Sequence, residues 1–272
     1  MRSCLTLHVE MPTAAETIYN IADLSTGYRR GGSCQRLSSG VSAKLCRGEL
    51  TCLIGANGAG KSTLLRTLAG LQPPVDGSVE LLGKPLGDYS ARELATRVSV
   101  VLTDEVQEQN LTAFELVATG RMPYTGYWGT MGDADRTRVN EALEQVGMSD
   151  FADRRLSSLS DGERQKLMIA KALVQDTDVV LLDEPVAFLD FPSKIGMMRM
   201  LDSVARESGR AVLLSIHDIE IALQMARRLW VLHDGSFIEG EPHALAEEGR
   251  VDFLFAGSGI TFDRQTLQYS LT

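Results

Sequence analysis

The 272-residue chain has no apolar run approaching the roughly 18 residues needed to cross a bilayer. Any membrane role is therefore expected to run through a partner. Its amino terminus, MRSCLTLHVEMP, carries one arginine but too short an apolar stretch for a secretory signal, so a cytoplasmic location is expected. Positive charge is also in short supply: 27 Lys and Arg against 36 Asp and Glu give a net charge of −9. That sign argues against gripping nucleic acid by phosphate neutralisation and disfavours direct attachment to anionic lipid. Cys4, Cys34, Cys46 and Cys52 show no C-x-x-C spacing, and the four histidines are scattered. A metal cluster is not expected, and the thiols read as buried or idle groups in a reducing compartment. Internal repeats and low-complexity segments are lacking too.

What is present is an ordinary globular composition, long enough for one large domain or two modest lobes. Residues 16–54 alternate short apolar runs with turn residues, which predicts an antiparallel patch leading into a buried strand, Leu50 to Ile54, that ends at a glycine-rich loop. SVELLGKPL adds a strand and turn. From about Asp88 to Asp161 the period becomes helical, with no strong strand after VSVVL, and reads as a helical insertion. Beyond it, GERQKLMIAKALVQ, SKIGMMRMLDSVARES and IEIALQMARRL read as helices between the strands DVVLLDEP, AVLLSIHD and WVLHDGS. That alternation predicts a largely parallel sheet with helices on both faces. The spans are an extension (1–15), a first part of the core (16–87), the helical lobe (88–161), the rest of the core (162–240) and a short tail (241–272).

Gly55-Ala-Asn57-Gly58-Ala-Gly60-Lys61-Ser62-Thr63 matches the P-loop pattern in full. The glycines let backbone N–H groups wrap a triphosphate, Lys61 reaches its β and γ phosphates, and the Ser62 hydroxyl ligates Mg²⁺. A plain glycine turn before a helix is the competing view; the buried strand before the loop and the helix TLLRTLAGL after it count against it. The apolar run Val179 to Leu182 closes on Asp183 and Glu184, at the strand end where open α/β sheets bind ligands. Asp183 is expected to hold the Mg²⁺ through water, and Glu184 to polarise the water that attacks the γ phosphate. Without the P-loop, such an acidic pair would read as a helix cap or a solvated turn. The strand Ala211 to Ile216 ends likewise, in His217 and Asp218. His217 can reach a γ phosphate while Asp218 caps the next helix. A lone histidine is otherwise more often a satisfied core or surface residue.

The stretch 159–167, LSDGERQKL, contains a capping box, Ser160 with Glu163. The box leaves Gly162 unexplained. That glycine removes a side chain from the first helical turn, as a helix start built to hold an anion would.

The order of P-loop, LSDGERQ, LLDEP, Asp190 and a strand-end histidine resembles the nucleotide-binding subunits of ABC transporters, over roughly Ile18 to the end. The resemblance implies an α/β cassette: a P-loop NTPase, RecA-like core with an antiparallel β patch and an α-helical insertion lobe. It implies ATP and Mg²⁺, and a head-to-tail homodimer in which Ser160 and Gly162 bind the γ phosphate held by the partner's P-loop. Asp190 would be the D-loop residue crossing that interface; a plain helix cap before Pro192 is the competing view. Tyr28 occupies the place of the aromatic that stacks on adenine, against the alternative of a half-buried turn tyrosine. The sequence departs from the family at Asp161, which brings a negative charge toward the triphosphate, and at Glu163. It also departs at Thr103, where a metal-touching glutamine is usual. Thr103 could contact the metal only through water, and Gln107 and Gln109 lie nearby; the residues leave this choice open.

Fused membrane helices, a second cassette and a long coiled-coil insertion are all missing, which leaves a separate importer subunit, with an iron–sulfur-assembly-type ATPase as the non-transport rival. Leu116 to Gly129, LVATGRMPYTGYWG, resembles the helical lobe of the iron-chelate (siderophore), haem and cobalamin uptake group; an aromatic turn packing the lobe is the bland alternative. The implied partners are integral membrane permease subunits and, indirectly, a substrate-binding protein, with the chain peripheral on the inner face of the cell membrane.

Overall fold

A computed structural model describes residues 16–30, 33–103, 110–125, 131–256 and 259–271. β1 (Thr17–Arg30) and β2 (Ser33–Cys46) form a long antiparallel pair. β3 (Leu50–Gly55) and α1 (Lys61–Leu68) follow, then β4 (Asp76–Leu81) and β5 (Lys84–Pro85). α2 (Ala91–Ala95) and β6 (Val98–Val101) precede α3 (Ala113–Ala118), α4 (Asp133–Gln145) and α5 (Asp161–Val174). Strict alternation resumes with β7 (Val179–Leu182), α6 (Phe191–Ser208), β8 (Ala211–Ser215), α7 (Ile219–Met225) and β9 (Arg228–His233). β10 (Ser236–Gly240), α8 (Pro242–Glu247) and the hairpin β11 (Ile260–Asp263) with β12 (Gln268–Leu271) come after.

The larger sheet has the order β10-β9-β3-β8-β7-β6, parallel except for β10, and the smaller is the antiparallel β2-β1-β4-β5. The inner parallel strands β3, β8 and β7 are apolar runs because both of their faces are covered. Successive side chains point to opposite layers. Leu53, Val179, Leu181 and Leu213 face a core shared with α1 and the antiparallel sheet, whereas Cys52, Ile54, Val180, Leu182 and Leu214 face one shared with the helices α5 to α7. α1 is thus clamped between the two sheets, and the fully buried Tyr19 of β1 donates its hydroxyl to Leu68 O at 2.6 Å, fixing the far end of that helix.

Three expectations are corrected. Val98–Val101 lies inside the span 88–161 read as helical, yet it pairs with β7 as the edge strand of the large sheet, so the continuous helical part begins beyond Thr103. The helix expected to run to Leu229 ends at Met225, because parallel pairing with β3 captures the chain from Arg228 onward. Residues 241–272 hold more than a tail: Leu245, Ala246, Val251, Phe255 and Leu267 are buried in the main core. Cys46 and Cys52 are buried and unpaired, and burial pushes the Cys52 thiol pKa up.

Candidate active site

The carboxyl ends of β3, β6, β7 and β8 meet along one edge, and the P-loop is the turn from β3 into α1. Gly55 is required there by close approach, since a Cβ would lie 2.5 Å from Leu232 O. Gly60 caps α1 in the left-handed region at φ 98°, which favours glycine. Asn57 and Gly58 stand exposed on the crest of the loop, and Ser62 is half-buried in the first turn of α1. The Lys61 side chain is almost fully enclosed and donates to Gly55 O at 2.7 Å and Ala56 O at 3.3 Å. Burial lowers its pKa, while the nearby carboxylates of Glu184 and Asp183 push in the opposite direction. Tyr28 lies on β1 rather than in a turn; it is 45% exposed and its hydroxyl is 3.0 Å from Thr63 Oγ1. An exposed aromatic therefore sits against the P-loop helix.

On the next strands, Asp183 is 1% exposed. Its Oδ1 accepts from Ser215 Oγ at 2.7 Å and its Oδ2 from Thr103 Oγ1 at 3.2 Å. Glu184 adopts φ 52° and donates its N–H to Ser215 Oγ at 2.8 Å. Glu184 Oε1 and His217 Nε2 share a 2.6 Å hydrogen bond, so the structure brings the expected acid, base and histidine together. Ser215 is a residue the sequence analysis missed. Its only signal was a polar residue inside AVLLSIHD. Gln107 and Gln109, the alternatives to Thr103, lie outside the described residues. Asp218 does not cap α7 with its side chain, as was expected. Its carboxylate is instead drawn to Lys194 Nζ of α6, 3.4 Å away.

The helix start at Ser160 is formed as expected. Ser160 and Glu163 make the capping box, with Ser160 N–H donating to Glu163 Oε2 at 2.7 Å and Glu163 N–H to Ser160 Oγ at 3.3 Å. The Ser160 N–H and the Ser160 hydroxyl, which donates to the same oxygen at 2.8 Å, hold the Glu163 carboxyl below its usual pKa. Asp161 turns back onto Arg164 at 2.5 Å, which offsets the charge that marked it as a departure. Gly162 adjoins the segment before Asp190: a Cβ there would lie 3.3 Å from both Phe188 O and Leu189 Cδ2. Asp190 caps α6, accepting from Ser193 N–H at 3.0 Å, so its helix-capping role is realised in the single chain. In the 116–129 motif, Arg121 is buried, donates to Asp135 and to Val174 O, and lies over the Tyr124 ring. That is the packing role; Gly126 and Gly129 lie outside the described residues.

The donors fit a magnesium–triphosphate group. Mg²⁺ takes hard oxygen ligands, is held by one or two carboxylates and keeps phosphates and water for the rest. A buried carboxylate bracketed by hydroxyls and a glycine cradle opening α1 supply that set. Among the described residues no group of three or more His, Cys, Asp and Glu is placed to hold a metal ion.

Residues 38–187 match the family model described as ABC transporter. An uncharacterized ABC transporter ATP-binding protein of Methanocaldococcus jannaschii is 39% identical over 217 residues, covering 79% of this chain and 75% of that one. The iron(3+)-hydroxamate import ATP-binding protein of Bacillus subtilis is 36% identical over 193 residues (71% and 72%). The ferric enterobactin transport ATP-binding protein of Escherichia coli is 32% identical over 220 residues (80% and 81%). Among solved structures, a bacterial ABC transporter cassette determined as a dimer aligns with a TM-score of 0.73 at 26% identity, covering 83% of this chain and 99% of that one. A fold with its P-loop, acidic strand end and histidine on one edge, matched over this much of the sequence, makes the chain a member of the ABC transporter ATP-binding family.

Proposed function

We propose that this chain hydrolyses ATP to drive uptake of an iron chelate of the siderophore type, or a related haem or cobalamin cargo, through a separate membrane permease. The observation that carries the chemistry is the 2.6 Å Glu184–His217 pair on the edge where the P-loop opens. Lys61 and the loop N–H groups, with Gly55, Asn57, Gly58, Gly60 and Thr63 shaping the cradle, hold the phosphates. Tyr28, exposed beside the P-loop helix, is the residue that would stack on the adenine. Ser62 and Asp183, with Thr103 beyond it, would hold Mg²⁺, which offsets the charge gathering on the phosphate oxygens. Glu184 takes a proton from the attacking water as its oxygen bonds to the γ phosphorus and the bond to the β-phosphate oxygen breaks. His217 keeps the Glu184 carboxylate aimed and faces the γ phosphate.

Two copies pair head to tail, and the Ser160–Gly162 turn and Asp190 of each close over the other's nucleotide. Ser160 Oγ must then turn its proton from Glu163 Oε2, 2.8 Å away, to a phosphate oxygen. That a similar cassette forms a dimer supports the pairing of two copies. A permease partner is supported by an apolar groove of about 840 Å³ bordered by Leu71, Pro74, Leu86, Leu94 and Val100, next to the segment carrying Thr103; Leu71 is 58% exposed on it. No helix among the described residues is long and apolar enough to cross a membrane. The cargo reading rests on what the hydroxamate and enterobactin relatives are named for.

The test is reconstitution with the permease in liposomes, with uptake of a ferric siderophore, haem and cobalamin measured against ATP consumed. Siderophore uptake that stops in Glu184→Gln supports the proposal; ATP hydrolysis unaffected by permease and moving none of the three sinks the transport reading. Adding Ser160→Arg to Glu184→Gln should abolish the ATP-dependent dimer in sedimentation. A dimer surviving that change removes the Ser160–Gly162 turn from the interface.

A further inference from the structure

β7 lies between β8 and β6, and Asp183 leaves its end with the main-chain N–H donated to Val101 O at 2.8 Å. That bond fixes the backbone and leaves the carboxylate to be aimed by side chains. A carboxylate only accepts, and each of its oxygens meets one hydroxyl, Ser215 from one neighbouring strand and Thr103 from beyond the other. Ser215 is fully buried and is the closer of the two. A serine hydroxyl has one proton and two lone pairs. Its proton goes to Asp183 Oδ1, so the Glu184 N–H, 2.8 Å away, is received by a lone pair. One oxygen atom therefore ties together both acidic residues. Glu184 also holds a left-handed backbone at φ 52°, a conformation that persists in a non-glycine residue only where its surroundings enforce it. The bond to Ser215 is such an enforcement, and Glu184 reaches His217 from this conformation.

We infer that Ser215 is a positioning residue for ATP hydrolysis, aiming the Asp183 carboxylate and holding the backbone from which Glu184 acts; this rests on the roles proposed for those two residues. The hydroxyl is needed because it must donate to one group and accept from the other. Alanine can do neither and threonine can do both.

The test uses the full chain with Ser215→Ala and Ser215→Thr, and four readouts: kcat, the Mg²⁺ concentration at half-maximal rate, melting temperature, and calorimetric binding of a non-hydrolysable ATP analogue with Mg²⁺ or with chelator. For Ser215→Ala, kcat should fall about 10- to 100-fold and the Mg²⁺ requirement should rise, as for other residues that orient metal-binding groups. The gain in analogue affinity on adding Mg²⁺ should shrink, while affinity in chelator, which depends on the P-loop, should be kept. Ser215→Thr should recover most of each loss. The inference is overturned if Ser215→Ala keeps kcat and Mg²⁺ dependence within about twofold of wild type. It is overturned equally if chelator-state binding and melting temperature fall in step with kcat, since that marks a general loss of structure. Should the alanine variant not fold, Ser215→Cys, which keeps a weak donor in a similar volume, is expected to shift the same readouts in the same direction, and its matching wild type would overturn the inference. An absence of Mg²⁺-dependent hydrolysis in the wild type counts against the ATPase reading alone, because the Mg²⁺ dependence of analogue binding still reports on Ser215.

Discussion

The two ends of β7 put the same kinds of acidic residue to opposite uses. At the amino end, just before β7, Asp178 accepts from Arg47 at 2.7 Å and Arg97 at 3.0 Å, and Asp176 from Arg210 at 2.5 Å and from Arg138. At the carboxyl end of the same strand, Asp183 is met by two hydroxyls and Glu184 by a histidine. Backbone strain does not separate the ends, for Asp176 (φ 56°) and Glu184 (φ 52°) are both left-handed. The partner does. A guanidinium never gives up its proton, and here two of them each take one oxygen of the carboxylate, so the acid between them is locked in charge and in place. A hydroxyl or imidazole can turn, or exchange a proton, when a phosphate arrives. An acid at a strand end is thus a staple or a reagent according to what the adjoining strands present to it.

Removing the reagent should have the largest effect. Glu184→Gln is expected to lower turnover by about 10²- to 10⁴-fold with ATP binding and melting temperature unchanged, measured by phosphate release and calorimetry. A variant that loses its fold instead would make Glu184 a staple and erase the contrast. Removing the staple should do the reverse. Asp178→Asn keeps the shape but loses two charge-assisted bonds, at a cost of about 2 kcal/mol in denaturant unfolding, with the rate per folded molecule unchanged.

A smaller effect is expected at Thr103, whose 3.2 Å contact is the longer of the two on Asp183. Thr103→Ala should lower kcat only about threefold to tenfold, and a loss as deep as that of Ser215→Ala would show the two hydroxyls to be equal supports. The subtlest effect lies in pH. Burial alone would raise the Asp178 pKa, but the hydrogen bonds from Arg47 and Arg97 outweigh it and leave the group below its ordinary 3.8. A lowered native pKa gives stability that is present above the unfolded value and lost as pH falls through the native one. The stability gap between wild type and Asp178→Asn should therefore stay constant above about pH 4 and close below it. A gap unchanged well below that range would mean the arginines do not hold the charge.

The legible part of the site was the part that is contiguous in the chain. The P-loop, the capping box of Ser160 and Glu163, and the acidic end of VVLL are each read from neighbours within a few positions, because loop, cap and strand-end geometries are set by local backbone chemistry. Asp218 was misread for a related reason. A helix start follows it, so a side-chain cap was expected, but Lys194 on a neighbouring helix competes for the carboxylate. Local pattern cannot see such a competitor.

By itself the sequence determined the family, the alternation of strands and helices, and the identity of the phosphate cradle, because each rests on residue types at short fixed spacings. Only the tertiary structure decided which side chains share an oxygen or a proton. The order β9-β3-β8-β7-β6 puts Ser215 beside Asp183 across a separation of 32 residues and Thr103 beside it across 80. Strand order is fixed by which faces must be covered and how the crossovers pack, and that is a property of the whole chain rather than of any segment of it.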